Sequence, residues 1–254
     1  MRRPCMRHRL SSAEYPEGPL EAPLFKPFHD ALLPANFQLI SAFERSYCTR
    51  LGSTLEEAAR LIAEAYHGEA QRGYNLSGRV SEAGLNELER ILTQIDRSPE
   101  KTISMTGMRE RLHEASHTGA KNREIRVVVD LFVKRKDGSE WYFELKSPMP
   151  NKGQCLEVLQ RLRRIYLIRG SRARKVHAYF AMPHNLYGGI KLSYRWTYAL
   201  RYLPMEDGVW IGEEFWDWIG GKGTYLALFS FLELYREVGR EKEKELRRVF
   251  ELVG

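Results

Sequence analysis

Long apolar runs are missing from this sequence of 254 residues. A membrane-spanning helix needs roughly 18 or more consecutive apolar residues, and no stretch approaches that length. Residues 1–20 also lack the apolar centre of a secretory signal peptide. We therefore expect a soluble, cytoplasmic protein.

Cysteine is equally scarce, since only Cys5, Cys48 and Cys155 occur, and they are widely spaced. A small odd number of distant cysteines is typical of free thiols in a reducing compartment. Neither a disulfide framework nor a zinc cluster built on cysteine is expected.

Apolar periodicity is weak at the start of the chain. Residues 1–28 contain five prolines, at positions 4, 16, 19, 23 and 27. Such a segment is typical of an arm outside the core. We expect a basic, proline-rich N-terminal arm over residues 1–28 and a single domain over residues 29–254.

Positive charge is concentrated in one segment. The whole chain carries a formal charge of +7, yet residues 121–175 alone hold 15 Lys and Arg against 6 Asp and Glu, a net of +9. A solvated basic face is the simpler interpretation. The alternative is a polyanionic substrate, which the candidate catalytic carboxylates in the same segment favour.

Helical spacing dominates the first half of the chain. It predicts one helix from Phe37 to a break at Gly52-Ser53-Thr54, a second from Leu55 to about His67, a third around Leu85–Ile95 and a fourth over Met105–Ser116. Ser53 or Thr54 would cap the second of these helices. The N-terminal half is therefore predicted to be mainly helical.

The pattern changes at Ile125–Val133 and Trp141–Leu145, which are rich in β-branched and aromatic residues and flank the turn Asp137-Gly138. A helix over Cys155–Ile168 would then lead to a third strand, Val176–Met182. Two antiparallel strands followed by a helical crossover make a mixed sheet. We expect an α/β (mixed α+β) fold with helices flanking this sheet.

An aromatic-rich stretch and a charged helix are predicted at the C-terminal end. The stretch Val209–Ile219 precedes the turn Gly220-Gly221, and a long helix should run from about Thr224 into the charged segment EKEKELRR.

Glu144-Leu145-Lys146 is the candidate catalytic motif. Alternation along a strand puts Glu144 and Lys146 on one face and buries Leu145 on the other. Among the 33 acidic residues, Glu144 alone has a lysine two positions further on. A carboxylate that holds Mg²⁺ beside an ammonium group suits phosphodiester hydrolysis, which needs charge stabilisation and an activated water.

The hairpin turn decides whether Asp130 joins this motif. A two-residue turn at Asp137-Gly138 would send its carboxylate to the opposite face, whereas a three-residue loop over residues 136–138 sets Asp130 opposite Glu144. The longer loop needs a positive φ at its last residue, and Gly138 suits that position best. Asp130 also interrupts an apolar run, where an unpaired carboxylate would be costly. We interpret Asp130, Glu144 and Lys146 as the catalytic residues.

These residues also resemble a known family. Asp130 and the block FELKSPMPNKGQ over residues 143–154 look like the active site of TdeIII-type type II restriction endonucleases, within the PD-(D/E)xK nuclease superfamily. Further similarity lies in SYCTRLG over residues 46–52 followed by Glu57, in NLYG over 185–188, and in FWD over 215–217 with Gly220-Gly221. Together these blocks span about residues 30–240. Met149 departs from the pattern, because the family tends to have a basic residue there.

The resemblance implies a restriction-endonuclease-like fold and Mg²⁺-dependent cleavage of double-stranded DNA at a short palindrome, with Mn²⁺ able to substitute. It further implies a homodimer and a DNA methyltransferase encoded by a neighbouring gene. Asp130 and Glu144 would bind the metal, and Lys146 would orient the attacking water or stabilise the phosphorane.

The resemblance also adds candidates outside the motif. Glu57 matches a helix carboxylate that could complete the metal site, although its position on a helical wheel suits an ordinary surface glutamate equally well. DNA contacts are predicted for Lys152, Gln154, Asn185 and Tyr187. For Lys152 and Gln154, solvation in a loop is the alternative.

Other patterns compete with this interpretation. His113, Glu114 and His117 match HExxH, the signature of zinc metalloproteases, but polar residues flank it and no third ligand follows at a familiar spacing. A non-catalytic DNA-binding module is a further alternative. The aromatic residues of the C-terminal stretch could stack on bases, but core or dimer interface is the commoner role. Arg161, Arg163 and Arg164 could follow the phosphate backbone or simply occupy the outer face of the crossover helix.

Overall fold

The computed structural model describes residues 31–98, 104–121, 123–170 and 175–231, with isolated positions between 236 and 247. The predicted arm over residues 1–28 lies outside them. The helices are α1 (Ala35–His67), α2 (Glu82–Arg97), α3 (Met105–Ser116), α4 (Lys152–Arg169), α5 (Thr197–Tyr202), α6 (Glu213–Gly220) and α7 (Thr224–Ser230), with a short 3-10 helix at Lys191–Ser193. The strands are β1 (Glu69–Val80), β2 (Arg123–Lys134), β3 (Glu140–Leu145), β4 (Val176–Met182) and β5 (Val209–Ile211).

The five strands form one mixed sheet in the order β1-β2-β3-β4-β5. The pairs β1–β2 and β2–β3 are antiparallel, whereas the pairs β3–β4 and β4–β5 are parallel. Helix α4 makes the crossover from β3 to β4, as predicted. The mixed α/β fold with helices around a central sheet is confirmed.

Helices cover both faces of the sheet and divide the core in two. On one face, α2, α3 and α4 pack their buried side chains, such as Leu88, Met108 and Leu162, against the strands. On the other face, Ala59 and Ala63 of α1 join the aromatic residues of α6. The helices shield the ends of the strands from water only where they cover them, so a site can open where the strand ends are left uncovered.

Helix α1 is continuous through the predicted break at Gly52-Ser53-Thr54, so that prediction is wrong. The Thr54 hydroxyl does not cap a new helix but donates to the Arg50 carbonyl one turn back, at 2.9 Å. A glycine costs a helix only about 1 kcal/mol, which the neighbouring turns offset. The predicted end at His67 is confirmed, because Gly68 follows with a φ of 93°.

Strand β1 was not predicted, because its sequence is largely polar and contains two glycines. It is an edge strand with one solvated face, so apolar alternation is weak. The strand requires Gly78, since a Cβ there would lie 2.6 Å from the side chain of Ile168 in α4. The close packing of α4 against β1 thus explains why a strand contains Gly78, although glycine is usually unfavourable within strands.

The basic residues of α4 do not share one environment. Arg163 is fully buried, its Nε lies 2.9 Å from Met108 Sδ, and burial lowers its pKa to about 9. Neither Nη atom of Arg163 has a hydrogen-bond partner in the described part of the chain. Neither interpretation made for this residue, phosphate contact or outer face, is correct.

The predicted aromatic stretch Val209–Ile219 forms β5 and α6. Its side chains Phe215 and Trp216 are buried within this chain, and Trp216 Nε1 donates to the Pro183 carbonyl. They are therefore core residues and not base-stacking platforms. Helix α7 begins at Thr224 as predicted, but most of its expected charged extension lies outside the described residues. No described helix is long and apolar enough to cross a membrane.

Candidate active site

The hairpin between β2 and β3 has the register that the turn chemistry predicts. Leu131 pairs with Phe143 and Lys134 with Glu140, and Asp130 and Glu144 are the next residues beyond the Leu131–Phe143 pair. The loop spans residues 136–138 and closes where the Arg135 N–H donates to the Ser139 carbonyl, at 3.0 Å. Gly138 has a φ of 77°, as that loop type requires.

Asp130 stands where β2 changes the side to which its residues point. Val129 packs on the α2–α4 side, and so does Phe132 three residues later, although strict alternation would place them on opposite sides. Opposite Asp130 in β1 is Gly73, whose φ of 60° any other residue would adopt only with strain. The distortion frees Asp130 from the ladder, and its Oδ2 accepts the Leu145 N–H at 2.8 Å.

Glu144 is fully buried, which is rare for a carboxylate. Its Oε2 accepts a hydrogen bond from Arg161 Nη1 at 3.2 Å. Its Oε1 is buried and has no partner in the described part of the chain. Burial, and then the negative charge of Asp130, raise the pKa of Glu144 to about 8, against the opposing effect of Arg161 and Lys146.

Lys146 links the two carboxylates. Its Nζ lies 3.4 Å from Asp130 Oδ2 and 3.8 Å from Glu144 Oε2. The backbone of Lys146 is fixed as well, because its N–H donates to the Ala181 carbonyl of β4 at 3.1 Å. Leu145, which lies between Glu144 and Lys146 in the sequence, is buried on the opposite face of the sheet, as predicted. The structure therefore brings Asp130, Glu144 and Lys146 together.

The oxygens of this site suit a hard cation. Protein donors hold Oδ2 of Asp130 and Oε2 of Glu144, whereas the buried Oε1 of Glu144 has no hydrogen-bond partner in the described part of the chain. Mg²⁺ prefers oxygen ligands and is usually held by one or two carboxylates together with water and substrate phosphates. A buried carboxylate oxygen without a partner is costly unless something compensates for it, and a bound cation would do so.

The raised pKa of Glu144 makes the stability of the metal-free protein depend on pH. The folded state holds this proton up to about pH 8, while the unfolded chain releases it near 4.5. The free energy of unfolding should therefore fall as pH rises from 4.5 to 8, by on the order of 5 kcal/mol at most from this group. Denaturant unfolding of the wild type and of Glu144→Gln across this range tests it. The neutral amide should remove that part of the decline, so parallel curves would contradict the raised pKa.

Glu57 lies apart from these carboxylates. It forms an ion pair with Arg60 at 2.7 Å on the surface of α1. Among the described residues, no three His, Cys, Asp or Glu side chains are close enough together to hold one metal ion. A third protein ligand from Glu57 would require Arg60 to release it.

Lys152 and Gln154 lie in the first turn of α4. Asn151 and Gln154 form a capping box, in which each side chain accepts the other's backbone N–H at 2.9 Å. Lys152 pairs with Asp96 of α2 at 2.6 Å. Both side chains thus have local partners, and they belong to a helix terminus and not to a loop, although Gln154 is exposed and the Lys152 side chain is 44% exposed.

Asn185 and Tyr187 follow β4, whose end lies at the same edge of the sheet as the end of β3. The Asn185 side chain shapes its loop: it donates to the Ile190 carbonyl at 2.6 Å and accepts the Tyr187 N–H at 2.9 Å. Tyr187 is 40% exposed. Of the two, only the tyrosine is left available at the surface.

Comparisons with known proteins decide the family. The family model for HinfI, a type II restriction endonuclease, matches residues 3–236. The chain belongs to the HinfI family of type II restriction endonucleases. It is 43% identical over 225 residues to the type II restriction enzyme HgiCII of Herpetosiphon aurantiacus, covering 88% of this chain and 81% of that one. It is also 43% identical over 222 residues to the type II restriction enzyme HgiEI of the same organism, covering 87% and 80%. No solved structure matches.

Family membership fixes the class of reaction. Type II restriction enzymes are site-specific deoxyribonucleases that hydrolyse phosphodiester bonds in double-stranded DNA, and they depend on a divalent metal. The resemblance to type II restriction endonucleases is thereby confirmed. The TdeIII type is not, because the family model that matches is HinfI.

The zinc-protease alternative finds no support in a restriction endonuclease of this family. His113 Nδ1 lies 3.2 Å from the Gly170 carbonyl, and its ring packs edge-on against His117. No third ligand joins them among the described residues. His113 instead connects the last turn of α3 to the end of α4.

Arg161 is the site residue that sequence reasoning missed. It had been considered only for the phosphate backbone or for the outer face of α4, yet it contacts the buried carboxylate of Glu144. Its spacing from Glu157, one helical turn earlier, indicated an ion pair. Nothing in the sequence indicated that this face of α4 turns toward the end of β3.

Proposed function

We propose that this chain cuts both strands of DNA at a short palindromic sequence, with Mg²⁺ held by Asp130 and Glu144 and with Lys146 beside it. The observation that carries the proposal is the buried Glu144: its Oε1 has no partner in the described part of the chain, and its Oε2 lies 3.8 Å from the Lys146 ammonium, which also contacts Asp130. Mn²⁺ would substitute for Mg²⁺, because both accept carboxylate and water ligands.

Each residue of the motif has a separate task. Asp130 Oδ1 and Glu144 Oε1 would hold the metal, which when bound stabilises charge on the phosphate and lowers the pKa of a water molecule. The Leu145 N–H fixes Asp130 through its other oxygen. Lys146 is one-quarter exposed, so its ammonium can orient the attacking water or contact the phosphate while it stays close to both carboxylates.

DNA contacts would come from the loops at this edge of the sheet. Tyr187 is exposed, and Lys152 could exchange Asp96 for a phosphate, since an exposed ion pair contributes little. Gln154 and Asn185 would act by shaping the backbone near DNA, because their side chains hold local turns. Glu57 stays a proposed third ligand whose carboxylate must first leave Arg60.

A homodimer is the simplest way to cut a palindrome, since a twofold axis supplies two equivalent sites. The stretch Val209–Trp218 and the C-terminal helix are the two candidate interfaces; in the first, Phe215 and Trp216 are buried within this chain, and Trp210 and Trp218 are only partly buried. The C-terminal helix is the candidate that we favour, because Leu226 and Phe229 of α7 are 72% and 42% exposed.

Sedimentation velocity tests the dimer. We expect a species of twice the monomer mass, and we expect Leu226→Glu to shift it toward monomer without lowering the melting temperature by more than a few degrees. A wild-type protein that stays monomeric at every concentration, yet cuts both strands in one event, would contradict the proposal.

Three further expectations stay predictions: a cytoplasmic location, a DNA methyltransferase encoded by a neighbouring gene, and a closer likeness to TdeIII-type enzymes. The arm over residues 1–28 and the single domain over residues 29–254 also stay predictions.

Cleavage-site mapping tests the proposed specificity. A library of random duplexes is digested with Mg²⁺, and the new ends on both strands are sequenced. We expect the ends to converge on one short symmetric sequence. Binding without any cut would favour the non-catalytic DNA-binding module, and scattered ends would show a nuclease without site specificity.

A further inference from the structure

Arg161 holds an unusual position at the rim of the active site. Its Nη1 donates to Glu144 Oε2 at 3.2 Å, while its Nη2 pairs with Glu157 at 2.5 Å. Glu144 is fully buried, but the side chain of Arg161 is 34% exposed. The guanidinium therefore touches the buried carboxylate from the solvent side.

The charges of the site balance without a metal once both carboxylates are ionised. Asp130 and Glu144 then supply two negative charges, and Lys146 and Arg161 supply two positive charges within 4 Å of them. When a divalent cation shares the carboxylates, the site gains two positive charges, and Arg161 loses part of its attraction to Glu144. An exposed guanidinium in that situation favours a new anion.

We propose that Arg161 is a second cation of the active site, which pairs with Glu144 before metal binds and contacts a DNA phosphate once metal shares that carboxylate. Two features fit this exchange. The planar guanidinium matches phosphate oxygens in a bidentate arrangement. Glu157, one turn earlier on α4, keeps the group at the rim when Glu144 releases it. The inference rests on the proposed function, because it takes Asp130 and Glu144 as the metal site.

Two measurements should move in opposite directions in Arg161→Ala. Loss of a positive charge beside the carboxylates should tighten binding of Mn²⁺ alone, followed by electron paramagnetic resonance, by about tenfold. Affinity for duplex DNA, measured in Ca²⁺, should fall. The negative slope of log affinity against log salt concentration should become shallower by roughly 0.9, the value for one lost phosphate contact. Cleavage should fall by about a hundredfold.

Two further variants keep the result interpretable. Arg90→Ala removes a positive charge from a 77% exposed side chain of α2, and it should leave all three measurements unchanged. Arg161→Lys keeps the charge but cannot span both glutamates, so Mn²⁺ affinity should stay near wild type while cleavage falls about tenfold. This variant also serves if Arg161→Ala fails to fold.

A purely structural Arg161 would give a different result. Weaker or unchanged Mn²⁺ binding in Arg161→Ala, or tighter Mn²⁺ binding with unchanged DNA affinity and salt slope, would overturn the proposal. Glu144→Ala in the same titration separates this outcome from failure of the proposed function. If Glu144→Ala binds Mn²⁺ as the wild type does, the metal site itself is misassigned.

Discussion

Asp130→Ala and Glu144→Ala are expected to reduce DNA cleavage by at least about a thousandfold while leaving metal-free DNA binding intact or tighter. Each substitution removes a carboxylate that would hold the metal, and with it the charge stabilisation on which hydrolysis depends. Asp130→Ala also removes a negative charge that repels the DNA phosphates, and Glu144→Ala does so above the raised pKa of Glu144. Both variants should therefore lose DNA cleavage without losing affinity for DNA.

Lys146→Ala is the comparison for these two variants, because it removes a positive charge that lies within 4 Å of both carboxylates. It should also stop cleavage, yet weaken DNA binding slightly. Gel-shift and cleavage assays on one DNA at one fixed salt concentration measure both quantities. Normal cutting by all three variants would show that the catalytic assignment is wrong and that a DNA-binding module is the better description.

Removal of divalent metal should abolish cleavage completely, and Mg²⁺ or Mn²⁺ should restore it. The proposed ligands are the carboxylate oxygens of Asp130 and Glu144, and among the described residues no histidine or cysteine completes a metal-binding group of three with them. Hard oxygen ligands favour these cations over zinc. Activity assays after chelation and dialysis, with each metal added back, measure the effect.

His113→Ala is the control for the competing zinc site. It should change neither the metal content nor the cleavage rate, apart from a small loss of stability where its ring contacts the Gly170 carbonyl. Stoichiometric zinc in the purified protein that disappears in His113→Ala would revive the protease interpretation.

The register of the hairpin between β2 and β3 could be predicted from the sequence alone. Its register follows from the length of one loop and from the positive φ that Gly138 adopts, so local chemistry places Asp130 opposite Glu144. The mixed sheet follows in the same way, because a helix between two strands makes them parallel. Where neighbours in sequence determine the structure, the prediction is confirmed.

Predictions from the sequence were incomplete or wrong where contacts between residues far apart in the chain determine the structure. Strand β1 has little alternation of its own and is fixed by pairing with β2. The helix α1 passes through Gly52 because its later turns are anchored at Ala59 and Ala63. Arg161 and Arg163 are two residues apart on α4, yet one meets an active-site carboxylate and the other is buried beside Met108. Charge patterning cannot separate them, since their roles depend on which element faces each side of the helix.

Digestion of supercoiled plasmid DNA with purified protein in Mg²⁺, beside the Glu144→Ala variant prepared identically, tests the central claim most directly. The account predicts discrete fragments of fixed length from the wild type and intact plasmid from the variant. Discrete fragments from both proteins would contradict it, because hydrolysis would then not depend on the buried carboxylate at the end of β3.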